Sequence, residues 1–455
     1  MPRIRDYRED AGSMTWRILL QTWLYSISLL EGWFPDTLAV LCAVSIVFLL
    51  LRRRPGWWIF AAVSLTASMA GCFGLAWLLV HVFYVWPEDL PPEVVAWAGV
   101  GVFAATAGVG NILLGGLRHA LLAPVAALVV LSLCGLQINA YFGLLPTVGT
   151  LFGVSGSSLL PLESALKKHG DRMSFESAPI YDHWHEPGHL AATGVMRHAE
   201  IPGTVSGWHG RHAHIYLPPV YLLKNRPKLP VLVLVGSQPG WPGVWAVSGD
   251  LVRMMAVFAA RHHGLAPVVV IPDPNGTEDG NTMCMDTTIA KTDTYMSVDV
   301  PEWIKHNLDV DSNPQHWAVG GFSFGGTCAV QMATRHPRIY PNFMSFGGER
   351  EPALAISRQQ TANEAFAGNL AAFTAEVPLT LLAKHHYADS FGFFAAGADD
   401  PEFRGNAVVL AAAAAKAGMH VKSEIVPGAG HSWKVVLDSM QSALDFLARP
   451  MGLAP

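Results

Sequence analysis

His316-Trp317-Ala318-Val319-Gly320-Gly321-Phe322-Ser323-Phe324-Gly325-Gly326-Thr327-Cys328 is the stretch on which the fold turns. Residues 316–322 are apolar enough for a buried strand. Gly321 to Gly325 then spell Gly-x-Ser-x-Gly, and Thr327 to His336 are helix-prone. Strand, sharp turn and helix together make the setting of a nucleophile elbow, in which a serine hydroxyl stands at the carboxyl edge of a sheet. Small residues on either side let strand and helix approach closely. The rival reading of the same letters is a glycine-rich packing turn, and the flanking strand and helix weigh against it.

Outward from the elbow, strands and helices alternate. Val231 to Val235 and Pro267 to Ile271 are unbroken β-branched and aliphatic runs, as expected of parallel strands buried on both faces. Ser248 to His263, between them, has helical periodicity, with Met254-Met255 as helix core. Asn342 to Phe346, Phe391 to Ala396 and Val421 to Val426 read as further strands, and Pro401 to Ala417 and Trp433 to Leu447 as helices. Thr204 to Ser206 and His212 to Leu217 read as a short antiparallel pair. The alternation predicts a doubly wound, mostly parallel α/β sheet over residues 203–455. Pro352 to His386 reads as a helical insertion that shapes a pocket.

A serine hydroxyl needs a base to become a nucleophile. His431, in Gly428-Ala429-Gly430-His431-Ser432-Trp433, follows the last predicted strand and lies at the same sheet edge. The acid belongs between serine and histidine, at a strand end. Gly397-Ala398-Asp399-Asp400-Pro401 offers Asp400, with Asp399 as the alternative; either also suits a cap for the helix at Pro401. Serine, acid, histidine is the chain order of α/β hydrolases. An oxyanion hole needs two backbone N–H groups. Phe324 supplies one. In Gly236-Ser237-Gln238-Pro239-Gly240, Pro239 has no N–H, so Gln238 is the second candidate.

The first half is of another kind. The 455 residues are 51% hydrophobic and only 14% charged, below the quarter usual in soluble domains. The deficit falls in four apolar stretches: about Trp33 to Leu51, Trp57 to Val85, Val94 to Leu114 and Leu121 to Leu144. Each is long enough to cross a bilayer as a helix. Trp16 to Leu30 is shorter and reads as an interfacial helix, a fifth span being the alternative. The expected domains are an N-terminal segment (1–32), a four-helix transmembrane domain (33–145), a linker (146–202) and an α/β catalytic domain (203–455). Arg52-Arg53-Arg54 and Arg118 mark cytoplasmic loops, whereas Glu88, Asp89 and Glu93 sit between spans two and three. The catalytic half is therefore expected outside the plasma membrane, where a Cys284–Cys328 disulfide is permitted.

Other features point elsewhere. A net charge of −5 gives no sign of nucleic-acid binding. His185-Glu186-Pro187-Gly188-His189 has the spelling of a helical zinc motif, but Pro187-Gly188 breaks the helix that the chemistry requires. No metal site is expected. His209, His212 and His214 read as surface-lining residues. Asp273, Asn275, Asp279 and Asn281 follow a strand, where ligand loops of α/β folds sit.

Residues from about 200 to 447 resemble the esterase family of α/β hydrolases that includes S-formylglutathione hydrolases, feruloyl and enterochelin esterases and the antigen 85 mycolyltransferases. Ser206-Gly207, Tyr216 to Tyr221, Gly236 to Trp245, the elbow at Ser323 and His431 carry the likeness. The likeness to the subgroup with several N-terminal spans extends over most of the chain. It implies acyl transfer from an ester or thioester to water or an alcohol, without metal or organic cofactor. Many members have His-Gly where this chain has Gly236-Ser237. Two further readings stand beside a hydrolase: an acyltransferase acting on envelope lipids or glycans, and a non-catalytic membrane receptor or scaffold.

Overall fold

The computed structural model describes residues 23–24, 26–52, 54, 56–151, 159–165 and 180–455. The chain divides into two compact units, Met1–Ser158 and Leu159–Pro455.

The first unit holds four helices long and apolar enough to cross a membrane: α1 (Trp33–Leu50), α2 (Trp57–His81), α3 (Pro92–Leu114) and α4 (Leu117–Phe142). Helix α3 packs against both α2 and α4, and α1 packs on α4. Small residues make this possible: Ala104, Ala107 and Ala123 are almost fully buried, while Val44, Ile59 and Leu121 face outward. The Arg52 guanidinium bonds to the carbonyl oxygens of Gly110 and Leu114, so the Arg-bearing loops share one end of the bundle. At the other end Leu29 N–H donates to Pro146 O. Residues 27–32 are irregular rather than helical, so the predicted Trp16–Leu30 helix does not run to its end. Residues 16–22 and 25 of that stretch, and Arg53, lie outside the described residues.

The second unit is built on a nine-stranded sheet. Its strands are β1 (Leu160–Pro161), β2 (Val195–Ala199), β3 (Ala213–Leu217), β4 (Val231–Val235), β5 (Val268–Ile271), β6 (Trp317–Phe322), β7 (Asn342–Phe346), β8 (Phe391–Gly397) and β9 (His420–Val426). The order is β1-β2-β3-β5-β4-β6-β7-β8-β9, and all neighbours are parallel except at β3. This is the expected doubly wound, mostly parallel sheet of an α/β hydrolase. Helices α5 (Leu251–Arg261) and α6 (Val300–Asn307) precede α7 (Phe324–Arg335). The insertion forms α8 (Arg358–Ala365), α9 (Leu370–Glu376) and α10 (Pro378–Lys384). Then come α11 (Pro401–Lys416) and α12 (Lys434–Ala448). Helix α7 lies on β4, β6 and β7, and α12 packs with α5 and over β7, β8 and β9. Every residue of β4 and β5 is buried, as their unbroken apolar runs require. Met254 and Met255 are buried core residues of α5.

The antiparallel partner of β3 differs from expectation. It is β2, within the stretch read as a linker, and Thr204–Ser206 forms no strand. Residues 203–208 turn back on themselves, with Gly207 N–H bonded to Gly203 O. The buried Asp299 carboxylate holds that turn, accepting from Thr204 Oγ1 and the N–H groups of Val205 and Ser206 at 2.8–3.0 Å. These donors are spent on a side chain, so none remains for a ladder. The compact second unit begins at Leu159 and so includes β1 and β2. Residues 152–158 and 166–179 of the linker lie outside the described residues.

Candidate active site

The elbow is where glycine is demanded by geometry. Ser323 sits at φ 57°, ψ −119°, between the last residue of β6 and the first of α7. A side chain held at positive φ costs about 1–3 kcal/mol, so neighbours must hold it there. Ser323 N–H donates to Phe346 O at 2.9 Å, and Thr327 N–H to Ser323 O at 3.0 Å. A Cβ on Gly321 would lie 2.2 Å from the carbonyl carbon of Gly325. One on Gly325 would lie 2.3 Å from Val235 O. Backbone meets backbone on both sides of the serine.

The loops after β8 and β9 meet that serine. Nε2 of His431 lies 2.9 Å from Ser323 Oγ. Its Nδ1 lies 3.3 Å from Asp400 Oδ2, an ion-pair separation, and neither of these two atoms makes a hydrogen bond among the described residues. The imidazole stacks on the ring of Phe403, at 3.8 Å between centroids, and on that of Phe322, at 5.1 Å. Two stacked aromatic neighbours restrict the ring's rotation and help to keep its nitrogens toward Ser323 and Asp400.

Asp400 serves two ends at once. Its Oδ1 accepts from Phe403 N–H at 3.2 Å and so caps α11, while Oδ2 faces His431. The capping reading of this residue is seen directly, and the carboxylate also stands beside the histidine. Asp399 is exposed, and its N–H donates to Ala429 O, which ties the acid loop to the histidine loop. The structure thus brings together Ser323, His431 and Asp400 and leaves the Asp399 side chain outside.

Phe324 is the first residue of α7, where helix N–H groups have no intrahelical acceptor. Loop 236–243 abuts it: an added Cβ on Gly325 would come within 2.8 Å of Gly236 O. Gln238 lies in this loop, its side chain donating to Asp279 O at 3.2 Å. Cys284 and Cys328 form a disulfide, with Cα atoms 5.4 Å apart, tying the loop after β5 to α7. Residues 185–189 are non-helical, and among the described residues no cluster of three or more His, Cys, Asp or Glu is arranged to hold a metal ion.

Residues 209–437 match the family model described as "Putative esterase". The chain belongs to this esterase family. An uncharacterised protein of Corynebacterium glutamicum is 31% identical over 415 residues, covering 89% of this chain and 92% of that relative. Among solved structures, a ferulic acid esterase aligns with a TM-score of 0.50 at 18% identity, over 58% of this chain and all of that one. An S-formylglutathione hydrolase from Agrobacterium tumefaciens aligns at 0.48 and 16%, over 58% and 98%. The first of these likenesses speaks for the fold alone. Family membership makes this esterase a serine-hydrolase-type enzyme with ester substrates, and the receptor or scaffold reading falls away.

Sequence reasoning missed three residues around the site. Phe322 and Phe403 were legible only as strand and helix residues; that both stack on His431 depends on three loops meeting. Arg211 sits one residue before His212 and bonds to the Asp273 carboxylate, a pairing set by β3 lying beside β5.

Proposed function

We propose that the esterase works through a Ser323–His431–Asp400 triad and an acyl-enzyme, on a catalytic unit anchored outside the cell membrane by helices α1–α4. The observation that carries this reading is the relay of contacts from Ser323 Oγ through the imidazole to Asp400. Ser323 Oγ attacks the ester carbonyl carbon while His431 Nε2 takes the hydroxyl proton. Phe324 and Gln238 N–H groups receive the developing oxyanion. Collapse of the tetrahedral intermediate breaks the carbon–alcohol oxygen bond, and His431 returns its proton to the departing alcohol. Water, deprotonated by the same nitrogen, then releases the acid. Asp400 orients the imidazole and stabilises its charged form without itself taking the proton. No step calls on a metal or organic cofactor.

A fluorophosphonate probe is expected to label the wild-type protein covalently, and Ser323→Ala to abolish the label. Labelling that survives in Ser323→Ala defeats the assignment. The Cys284–Cys328 disulfide and the shared end of the Arg-bearing loops support the outward orientation. Protease shaving of intact cells checks it: loss of the catalytic unit is expected, and full protection overturns it.

The four apolar helices also favour a second acceptor, since they would keep the serine close to envelope lipids and glycans. Product analysis with such alcohols present decides. Transfer to a lipid or sugar hydroxyl in competition with water supports an acyltransferase, and hydrolysis alone defeats it.

A further inference from the structure

Arg211, just ahead of β3, reaches two loops with one guanidinium, the one after β4 and the one after β5. Nε lies 2.7 Å from Asp273 Oδ2 and Nη2 lies 3.0 Å from Asp273 Oδ1. The same Nη2 donates to Gly240 O at 2.9 Å and to Thr277 O at 3.0 Å. Asp273 is buried, and its Oδ2 also accepts the Arg211 backbone N–H at 2.8 Å. A planar fork with several donors can hold this many acceptors in fixed directions; an ammonium cannot.

What is held is the loop that follows β4. Gly240 is bound through both its polar groups: its O by Arg211 and its N–H by Glu278 O, at 2.9 Å. Gln238 Nε2, bonded to Asp279 O, adds a second tie to the loop that carries Glu278. The cavity behind, lined by Arg211, Gly236, Ser237, Asp273 and Asn275, measures about 10 Å³ and so takes at most about one water. At its other side the loop meets the start of α7, next to Ser323.

We propose that Arg211, held by Asp273, is a positioning residue that fixes loop 236–243 so that its N–H group meets the oxyanion formed at Ser323. The inference rests on the triad mechanism proposed above. It predicts a loss in stabilisation of the tetrahedral species rather than in ground-state binding. Arg211→Lys and Arg211→Ala are assayed with 4-nitrophenyl butyrate, and phenylboronic acid is titrated as a mimic that adds to the serine as a tetrahedral anion.

The expected result is a fall in kcat of about 100-fold, the usual cost of a lost oxyanion donor, with KM moved less than about threefold. Boronate affinity should fall in step with kcat. Millimolar guanidinium should restore part of the rate in Arg211→Ala. Wild-type kcat and boronate affinity in both variants overturn the inference. So do matched losses in KM and kcat with collapse of the thermal transition and no response to guanidinium. Ser323→Ala in the same assay separates the two claims: if it is inactive while the Arg211 variants are fully active, only the role of Arg211 falls. If it remains active, the triad reading itself fails.

Discussion

The two units bury opposite kinds of residue. In the first, large side chains point outward: Ile59 is 71% exposed, Leu113 75% and Leu117 77%. Gly and Ala make up much of what α3 and α4 bury, among them Gly99, Gly101, Ala104, Ala107, Ala123 and Ala126. In the second, β4 and β5 bury Val, Leu and Ile almost completely, and Trp245, Trp317 and Trp433 lie fully inside. Both units bury apolar side chains, so burial of such residues alone does not separate them. The backbone does. A helix satisfies its own N–H and C=O groups and tolerates an apolar exterior, as a bilayer demands. A sheet satisfies them laterally and leaves loops at its carboxyl edge free to carry polar chemistry. The reactive groups accordingly gather at one sheet edge of the second unit.

The largest expected effect tests that concentration. Asp400→Asn should lower kcat/KM by about 10³–10⁴-fold, because an amide no longer favours the imidazolium or its working tautomer. Asp399→Asn, at an exposed side chain, should leave the rate within about twofold. Ester-hydrolysis kinetics on both variants check the pair, and a reversed ranking would reassign the acid.

Next in size is a contrast between two glycines. Gly325→Ala drives a methyl group against Val235 O, which is backbone in a central strand. It should cost more than about 3 kcal/mol or prevent folding of the second unit. Gly110→Ala meets the Phe60 ring at 2.7 Å, a side chain that can rotate away. About 1 kcal/mol is expected there. Thermal unfolding in detergent, followed by near-ultraviolet circular dichroism, measures both. Equal costs would mean the bundle is as rigid as the elbow.

How much was legible follows the same division. The four long helices were readable because each is a continuous apolar stretch of the length needed to cross a bilayer. The elbow, His431 and Asp400 were readable because strand-end loops recur at fixed places in the alternating pattern. What failed was non-local pairing. Strand β2, Val195-Met196-Arg197-His198-Ala199, has weak β propensity and an apolar pattern too short to stand out; it is a strand because β3 lies beside it. Thr204–Ser206 was misread because nothing local announces that Asp299, 93 residues on, collects its donors. The Arg211–Asp273 pair was hidden for the same reason, since β3 and β5 are neighbours in the sheet and not in the sequence.

Acid should weaken the second unit through His214. Burial, helped by the nearby His198 and His212, pulls its pKa down to about 4. The unfolded chain binds the proton near pH 6.5, so it takes up more protons than the native state between about 4 and 6.5. Stability is then full above pH 6.5 and declines toward pH 4, by about 2 kcal/mol between pH 7.5 and 5. Asp299 adds a loss at lower pH. Burial alone would raise its carboxyl, but hydrogen bonds from Ser206, Val205 and Thr204 outweigh it and hold it low. Its contribution disappears as pH falls through that lowered value. Urea midpoints at pH 7.5 and 5 for wild type and His214→Gln test the first term; an unchanged pH difference in the variant removes His214 as its source.

The smallest effect belongs to the bundle, at its one fully buried amide among the described residues. Asn111 Nδ2 donates to Leu49 O on α1 and to Ala107 O on its own helix, each at 3.0 Å, while Oδ1 has no partner. In water-filled surroundings an orphaned acceptor would be hydrated; here removal of the amide also removes that unsatisfied oxygen. Interhelical hydrogen bonds in membranes average only about 0.6 kcal/mol, because partly unfolded helices find other partners. Asn111→Leu should therefore shift stability by less than about 1 kcal/mol, against roughly 3 kcal/mol for Asp299→Ala, which strands three donors around one missing carboxylate. Matched detergent-unfolding curves give both values. If Asn111→Leu proved the costlier, the amide would be pinning α1 to α3 in a way packing of small residues cannot, and the bundle would owe its arrangement to a polar contact after all.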